Sequence, residues 1–197
     1  MDGRNILGDG MTLLDYANWV PLPAPLAAAA PFSSFTSPDG EVWVAKGGIA
    51  GGAWRRARDV LHVFISRTGT AALAGNNSLI PYDTVQADPM GLGITSNGFS
   101  CPIAGSYQIH GQYMYTSTAV NQPYSLGIWR NGAAQRLGEI ALSNASGNVV
   151  CATVDGTMSD LSAGDLMQIY TNYSPAISAS GGVAYTHMTA RYIGGHS

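Results

Sequence analysis

The chain has 197 residues, 46% of them apolar and only 11% charged, with a formal net charge of −3. That length supports one substantial core with a small appendage, and charge this sparse, against about 25% in an average soluble domain, leaves Ser, Thr, Asn, Gln, Gly and Tyr to cover much of the surface. The acidic balance excludes a nucleic-acid partner, because phosphate contacts need clustered Lys and Arg, and the one basic group, Arg55, Arg56 and Arg58 beside Asp59, reads as a solvated or inter-subunit patch.

In chain order, residues 1–20 carry a weak helical spacing in Leu13, Leu14, Ala17 and Asn18 and are too short to fold alone, which suits an attachment segment. The stretch "VPLPAPLAAAAPFSSFTSPDG", residues 20–40, is dense in Pro, Ala and Ser and is expected to form an extended spacer with little internal hydrogen bonding. Its apolar part is far too short to span a bilayer, and "MDGRNILGDG" lacks the basic-then-apolar order of a signal peptide. The expectation is therefore no membrane insertion, assembly in a cytosol, and reduced thiols at Cys101 and Cys151. These boundaries give an attachment segment and linker over 1–38, a connecting strand and turn over 39–59, and a β domain over 60–197.

From Asp39 onward, short apolar runs alternate with Gly, Asn, Asp and Pro. "EVWVAKGG" reads as a short strand, "AWRRAR" as a helical turn, and "DVLHVFISR" as a strand with Leu61, Val63 and Ile65 on one side. "SLIPYDTV" contains Pro81 and belongs at a sheet edge or strand end. "GSYQIHGQYMYTS", "YSLGIWRNG", "AQRLGEIALS", "GNVVCATVDGTMS", "DLMQIYTNY" and "VAYTHMTARYI" complete eight to ten strands, so the fold class is all-β, a sandwich or barrel. Asn131-Gly132 is the strongest short hairpin signal.

The run "NGFSCPIAGSYQIHGQYMY", residues 97–115, places Phe99, Pro102 and the turn residue Gly105 before a strand. Its odd positions are Tyr107, Ile109, Gly111, Tyr113 and Tyr115, and its even ones Gln108, His110, Gln112 and Met114. A row of phenols suits a subunit interface, where rings are buried and hydroxyls stay hydrogen-bonded. An ordinary core strand with hydroxyls reaching the rim fits as well, and both readings stand at this point.

Residues 60–193 resemble a C1q/TNF-type jelly-roll domain. The resemblance rests on "HVFISRTGT", "SLIPYDTVQADPMG", "FSCPIAGSYQIHGQYMY", "SLGIWRNG", "LSAGDLMQIYTN" and "AYTHMTARYIG", six short signatures in the family's order. It implies a two-sheet jelly roll that forms a homotrimer with aromatic side chains near the three-fold axis, which makes Tyr107, Tyr113, Tyr115 and Tyr192 candidate trimer-interface residues. A one-residue slip of register would exchange the two faces. The chain departs from the family in having no collagen-like Gly-X-Y stalk before the domain and no acidic cluster for calcium. Asp83, Asp88, Asp155, Asp160 and Asp165 are scattered singly, so no metal or other cofactor is expected.

"DGEVWVAKGGIAGGAWRRARDVLHVFISR", residues 39–67, is similar to a segment of minor tail proteins of phages that infect actinobacteria, where it leads into such a β domain. This implies a virion tail protein whose N-terminal part docks to other tail proteins, with Trp54, Arg55, Arg56 and Arg58 at the docking junction.

The usual catalytic signatures are missing, including Gly-x-Ser-x-Gly, His-Glu-x-x-His, the P-loop and the dinucleotide fingerprint. His62, His110, His187 and His196 lie far apart in sequence. Cys101 and Cys151 read as small apolar residues, and nothing in the spacing of Glu139 with Asp155 or Asp160 supports a glycosidase pair. The expectation is a non-enzymatic homotrimeric tail protein near the tail tip. A capsid fibre or decoration protein and a secreted C1q-like module are the alternatives. Host-envelope glycan is a candidate ligand, with Trp129 and Tyr124, then Tyr170 and Tyr173, as candidate stacking residues, and Trp129 is expected near a hairpin end.

Overall fold

The computed structural model of the chain describes residues 34–36, 40–46, 53–116, 121–142, 149–173, 177–179 and 185–194. Its strands are β1 (Ser34–Thr36), β2 (Val42–Lys46), β3 (Ala53–Arg56), β4 (His62–Ser66), β5 (Ala71–Leu73), β6 (Thr84–Ala87), β7 (Gly98–Ser100), β8 (Gly105–Tyr115), β9 (Pro123–Arg130), β10 (Ala133–Leu137), β11 (Ala141–Leu142), β12 (Val150–Leu161), β13 (Leu166–Tyr173), β14 (Ile177–Ala179) and β15 (His187–Gly194), with a single helical turn, α1 (Ala57–Val60), between β3 and β4. The run read as a helical turn from Ala53 is thus strand first and helix only from Ala57.

Two antiparallel sheets face each other. In the larger, β8 is flanked by β12 and β15, and the sheet continues through β4 to β6, with β14 and β5 joined near the end of β8. The smaller runs β10-β9-β13-β7, with β11 also on β9. Consecutive strands often lie in different sheets, the Greek-key wiring that buries both inner faces together. The segment carrying Pro81 leads into β6, at the outer edge of the large sheet, as the missing amide of proline requires.

Period-two burial drives the packing. Along β8 every odd residue from Gly105 to Tyr115 is buried and every even one is partly or fully exposed. Ile109 of β8, Val154 of β12, Met188 of β15 and Ile65 of β4 meet Phe99, Leu126, Ile128, Met167 and Ile169 of the smaller sheet in one core. Gly111 is the narrow point, because a Cβ there would lie 2.8 Å from both Cδ1 and Cγ1 of Ile169. At Gly105, φ is +146° and a Cβ would meet the Gly194 carbonyl at 2.5 Å, so the turn into β8 admits no side chain.

The Asn-Gly signal is realised as a two-residue hairpin. Arg130 pairs with Ala133 across the turn, and Asn131 and Gly132 have φ of 50° and 81°, the left-handed geometry of a type I′ turn. The same turn is tied to the β12–β13 connection. Asn131 Nδ2 donates to Asp165 Oδ1 at 2.6 Å, its Oδ1 accepts from the Leu166 amide at 2.8 Å, and Arg130 lies 2.6 Å from Asp165 Oδ2, which also accepts from the Ser162 amide.

Residues 1–33, with the expected helical spacing, lie outside the described residues. Ser34–Thr36, expected in a spacer with little hydrogen bonding, instead pair antiparallel with β2, which pairs in turn with β3. Trp43, Val44, Ala45 and Trp54 are buried, and Val44, Ala57 and Val60 belong to the same core as the sandwich. The stretch read as a connector is thus a small sheet packed onto the main body.

Candidate functional site

In a single chain Tyr107, Tyr113 and Tyr115 are 0% exposed and Tyr192 is 2% exposed, which corrects their assignment to a trimer interface. They fill the sandwich, because the core can hold phenols when rings pack on rings. Tyr107 meets Tyr192 edge-on at 5.3 Å, and Tyr115 lies between Tyr113 at 4.8 Å and Tyr124 at 4.7 Å, spacings that favour aromatic attraction. The Tyr107 hydroxyl donates to the Ile103 carbonyl at 2.9 Å.

The hydroxyls of Tyr113 and Tyr192 are buried with no hydrogen-bond partner among the described residues. Burial pushes the Tyr113 phenol above the ordinary tyrosine value, and burial followed by the nearby Glu41 carboxylate pushes Tyr192 up to about 12. An unsatisfied buried hydroxyl costs free energy that a ring without it does not. Tyr113→Phe is therefore neutral or stabilising by up to about 1 kcal/mol, whereas Tyr107→Phe, which deletes a satisfied bond, costs about 1 kcal/mol. Urea titration of the two variants checks the difference in sign.

The opposite face of the same strand is the exposed one. Cross-strand register sets three rows of outward side chains on the large sheet: Asp155, His110, Thr189 and Phe64; Thr157, Gln108, Arg191 and His62; and Thr153, Gln112 and His187. His110 Nδ1 lies 2.7 Å from Asp155 Oδ1, the His110 and His187 rings are 5.3 Å apart, and Phe64 meets His187 edge-on at 5.4 Å. Three of the histidines that are scattered in sequence are thus gathered by β4, β8 and β15, while His196 lies outside the described residues. Parity was the available signal: His62 and His110 alternate with the buried residues of their strands, and so does His187.

Among the described residues no nucleophile is hydrogen-bonded to the His110–Asp155 pair, and no group of three or more His, Cys, Asp or Glu is arranged to hold a metal. Both cysteines are free. Burial, then the Asp165 carboxylate, pushes the Cys101 thiol up to about 12, so it stays neutral and packs as a small apolar group.

A second exposed surface lies along the edge formed by β10, β11 and the approach to β12. Leu137, Ile140, Leu142 and Val149 there are between 54% and 67% exposed, a grouping of large apolar side chains that a monomer rarely leaves in water. Glu139 stands among them, beside Thr153 and Asp155 of β12.

The remaining candidates separate clearly. Trp54 is buried within its own chain at 3% exposure, which corrects its role as a docking contact. Arg55 and Arg56 are half-buried, with the Arg56 guanidinium 5.7 Å from the Trp43 ring, and Arg58 is exposed and 2.9 Å from Glu41. Tyr124 is fully buried, which removes it as a glycan contact, because β10 and β11 cover β9 along one edge and its ring turns into the core. Trp129 is half-buried one residue before the end of the β9–β10 hairpin, as expected, and stacks on Tyr170 with centroids 4.4 Å apart. The side chain of Tyr173 lies outside the described residues.

Neither a protein-family model nor a curated protein sequence matches the chain. Solved structures do. Eiger TNF from S. frugiperda matches with a TM-score of 0.54 at 11% identity over 69% of this chain and 94% of that one. The fold is a C1q/TNF-like jelly roll. The globular domain of zebrafish complement 1qA (TM-score 0.50, 13% identity, 67% and 96% covered) and murine APRIL (0.51, 12%, 67% and 98%) match in the same way. At such identities the likeness is one of fold, and function has to be argued from the surfaces of this jelly roll.

Proposed function

We propose that the chain is a homotrimeric virion protein, a minor tail protein at or near the tail tip, that presents its jelly roll for host-surface recognition. The observation that carries the assembly is the coexistence of two unlike exposed surfaces, a broad and mostly uncharged sheet face and an apolar edge with Leu137, Ile140, Leu142 and Val149. Each patch can mate with the other kind on a neighbouring copy. They make a head-to-tail contact, and such contacts close into a ring when the rotation permits. Laying the edge of one jelly roll on the sheet face of the next covers both surfaces, and three copies close the ring.

The tail location rests on the resemblance of residues 39–67 to tail-protein segments. In this reading the N-terminal part docks to the particle, and three copies multiply weak binding of an envelope glycan through effective concentration. Trp129, stacked on Tyr170, remains the ring placed for such contact. Immunogold labelling of purified phage particles tests the location. Gold at the tail tip is the expected result. Gold on the head would move the protein to capsid decoration, and recovery only from the particle-free medium would overturn the virion reading.

A further inference from the structure

A cleft of about 460 Å³ opens between α1 and the outer face of the large sheet, with Arg58, Asp59, His62, Gln108, His110 and Arg191 in its wall. Arg58 is already matched by Glu41 at 2.9 Å, and His110 Nδ1 lies 2.7 Å from Asp155 Oδ1. Arg191 is exposed and has no ion-pair partner among the described residues. Covering this face with an apolar surface would strand its guanidinium, and an unpaired buried charge is strongly unfavourable. A carboxylate on whatever covers the face would offset that charge, beside the cleft's own Asp59.

The covering edge carries one. Among the acids of the described residues, Asp83 is held by Thr68 and Thr84, Asp88 by the Gly93 amide, Asp155 by His110 and Asp165 by Arg130, Asp160 already has an interaction, Asp59 lies in the cleft itself and Glu41 is paired to Arg58. Glu139 is exposed between the apolar residues of the edge and has no such partner. Its height also fits. Glu139 lies beside Asp155, Asp155 pairs with His110, and the Arg191 row is two residues further along β8, about 7 Å at the rise of a strand. For a three-fold axis that runs along the strands, rotation preserves height, and Glu139 of one copy would then come level with that row on the next to within about 7 Å.

We propose that Glu139 of one copy enters this cleft on the next copy and pairs with its Arg191, fixing the register of the ring. The proposal rests on the homotrimer reading and specifies which residues that assembly needs. Charged groups buried at an interface act through complementarity more than through area, and reversing one of them leaves like charges in contact.

The test is light scattering of the full chain over a dilution series, comparing wild type with Glu139→Arg, Arg191→Glu and the double exchange, each checked for folding by circular dichroism. The expected result is a wild-type trimer, at least a tenfold rise in the dissociation midpoint for each single reversal, and recovery to within about threefold of wild type in the double exchange. If a reversal fails to fold, Glu139→Gln and Arg191→Gln replace it, and their effects should not add. A wild-type trimer that the single reversals leave intact, or singles that dissociate with no recovery in the double, overturns the pairing while the trimer stands. A monomeric wild type overturns both.

Discussion

Asp165→Ala lowers the unfolding free energy by about 3 kcal/mol, a sum of lost charge-assisted bonds and a stranded arginine. The Asp165 carboxylate is nearly buried and takes the Arg130 guanidinium, the Asn131 amide and the Ser162 backbone N–H. It therefore ties the β9–β10 hairpin to the turn before β13, joining two connections at one end of the smaller sheet. For a chain of this length the loss corresponds to a fall of roughly 6–12 °C in Tm.

The pH dependence follows with a definite sign. Burial alone would raise the Asp165 carboxyl, but the donors from Ser162, Asn131 and Arg130 outweigh it and hold it below the usual carboxylate range. Because the folded value is depressed, the unfolded chain binds more protons as acid is added. The stabilisation is complete above the unfolded aspartate value near 4 and is lost as pH falls through the folded one. Thermal melts between pH 7 and pH 2 should show a shallower acid limb for Asp165→Ala than for wild type. Part of the limb should remain, since Asp83 is depressed in the same direction: burial would raise it, but hydrogen bonds from Thr84 and Thr68 and the Arg67 charge prevail.

Gly111→Val costs about 3 kcal/mol, at the upper end of overpacking penalties. The added side chain meets Ile169 across the sandwich, where two of its carbons already lie within 2.8 Å of the Cβ position, and Ile169 is itself fully buried. Ile169→Ala alone leaves a cavity and costs about 2–5 kcal/mol, yet in the double variant the two defects share one volume. The double should be less destabilised than the sum of the singles by more than about 1 kcal/mol. Additive losses in urea titration would show that the two sheets do not meet at this point.

Much of the architecture was legible because it depends on local chemistry. The Asn131-Gly132 turn requires left-handed φ at both residues and has it, and Pro81 keeps its segment at the edge of the large sheet. The two faces of β8 were not legible, because tyrosine satisfies both environments. A ring with a hydroxyl suits a core when other rings surround it and an interface when they do not, and those neighbours come from other strands, Tyr124 on β9 and, far off in sequence, Tyr192 on β15. The same gap explains Tyr124 and Trp54, whose burial depends on strands that pair only in the fold. The histidine cluster and the Glu139 edge were missed for a related reason. Each residue is ordinary alone, and only the register of β12, β8, β15 and β4 brings them to one face or one height.

The most direct test of the assembly is the solution mass of the full chain, by light scattering behind size-exclusion chromatography. A species at three times the chain mass of 20.5 kDa, stable over a hundredfold dilution, is the predicted result. A single species at the chain mass at every concentration would contradict it, leaving the sheet face and the apolar edge without the partner assigned to them here.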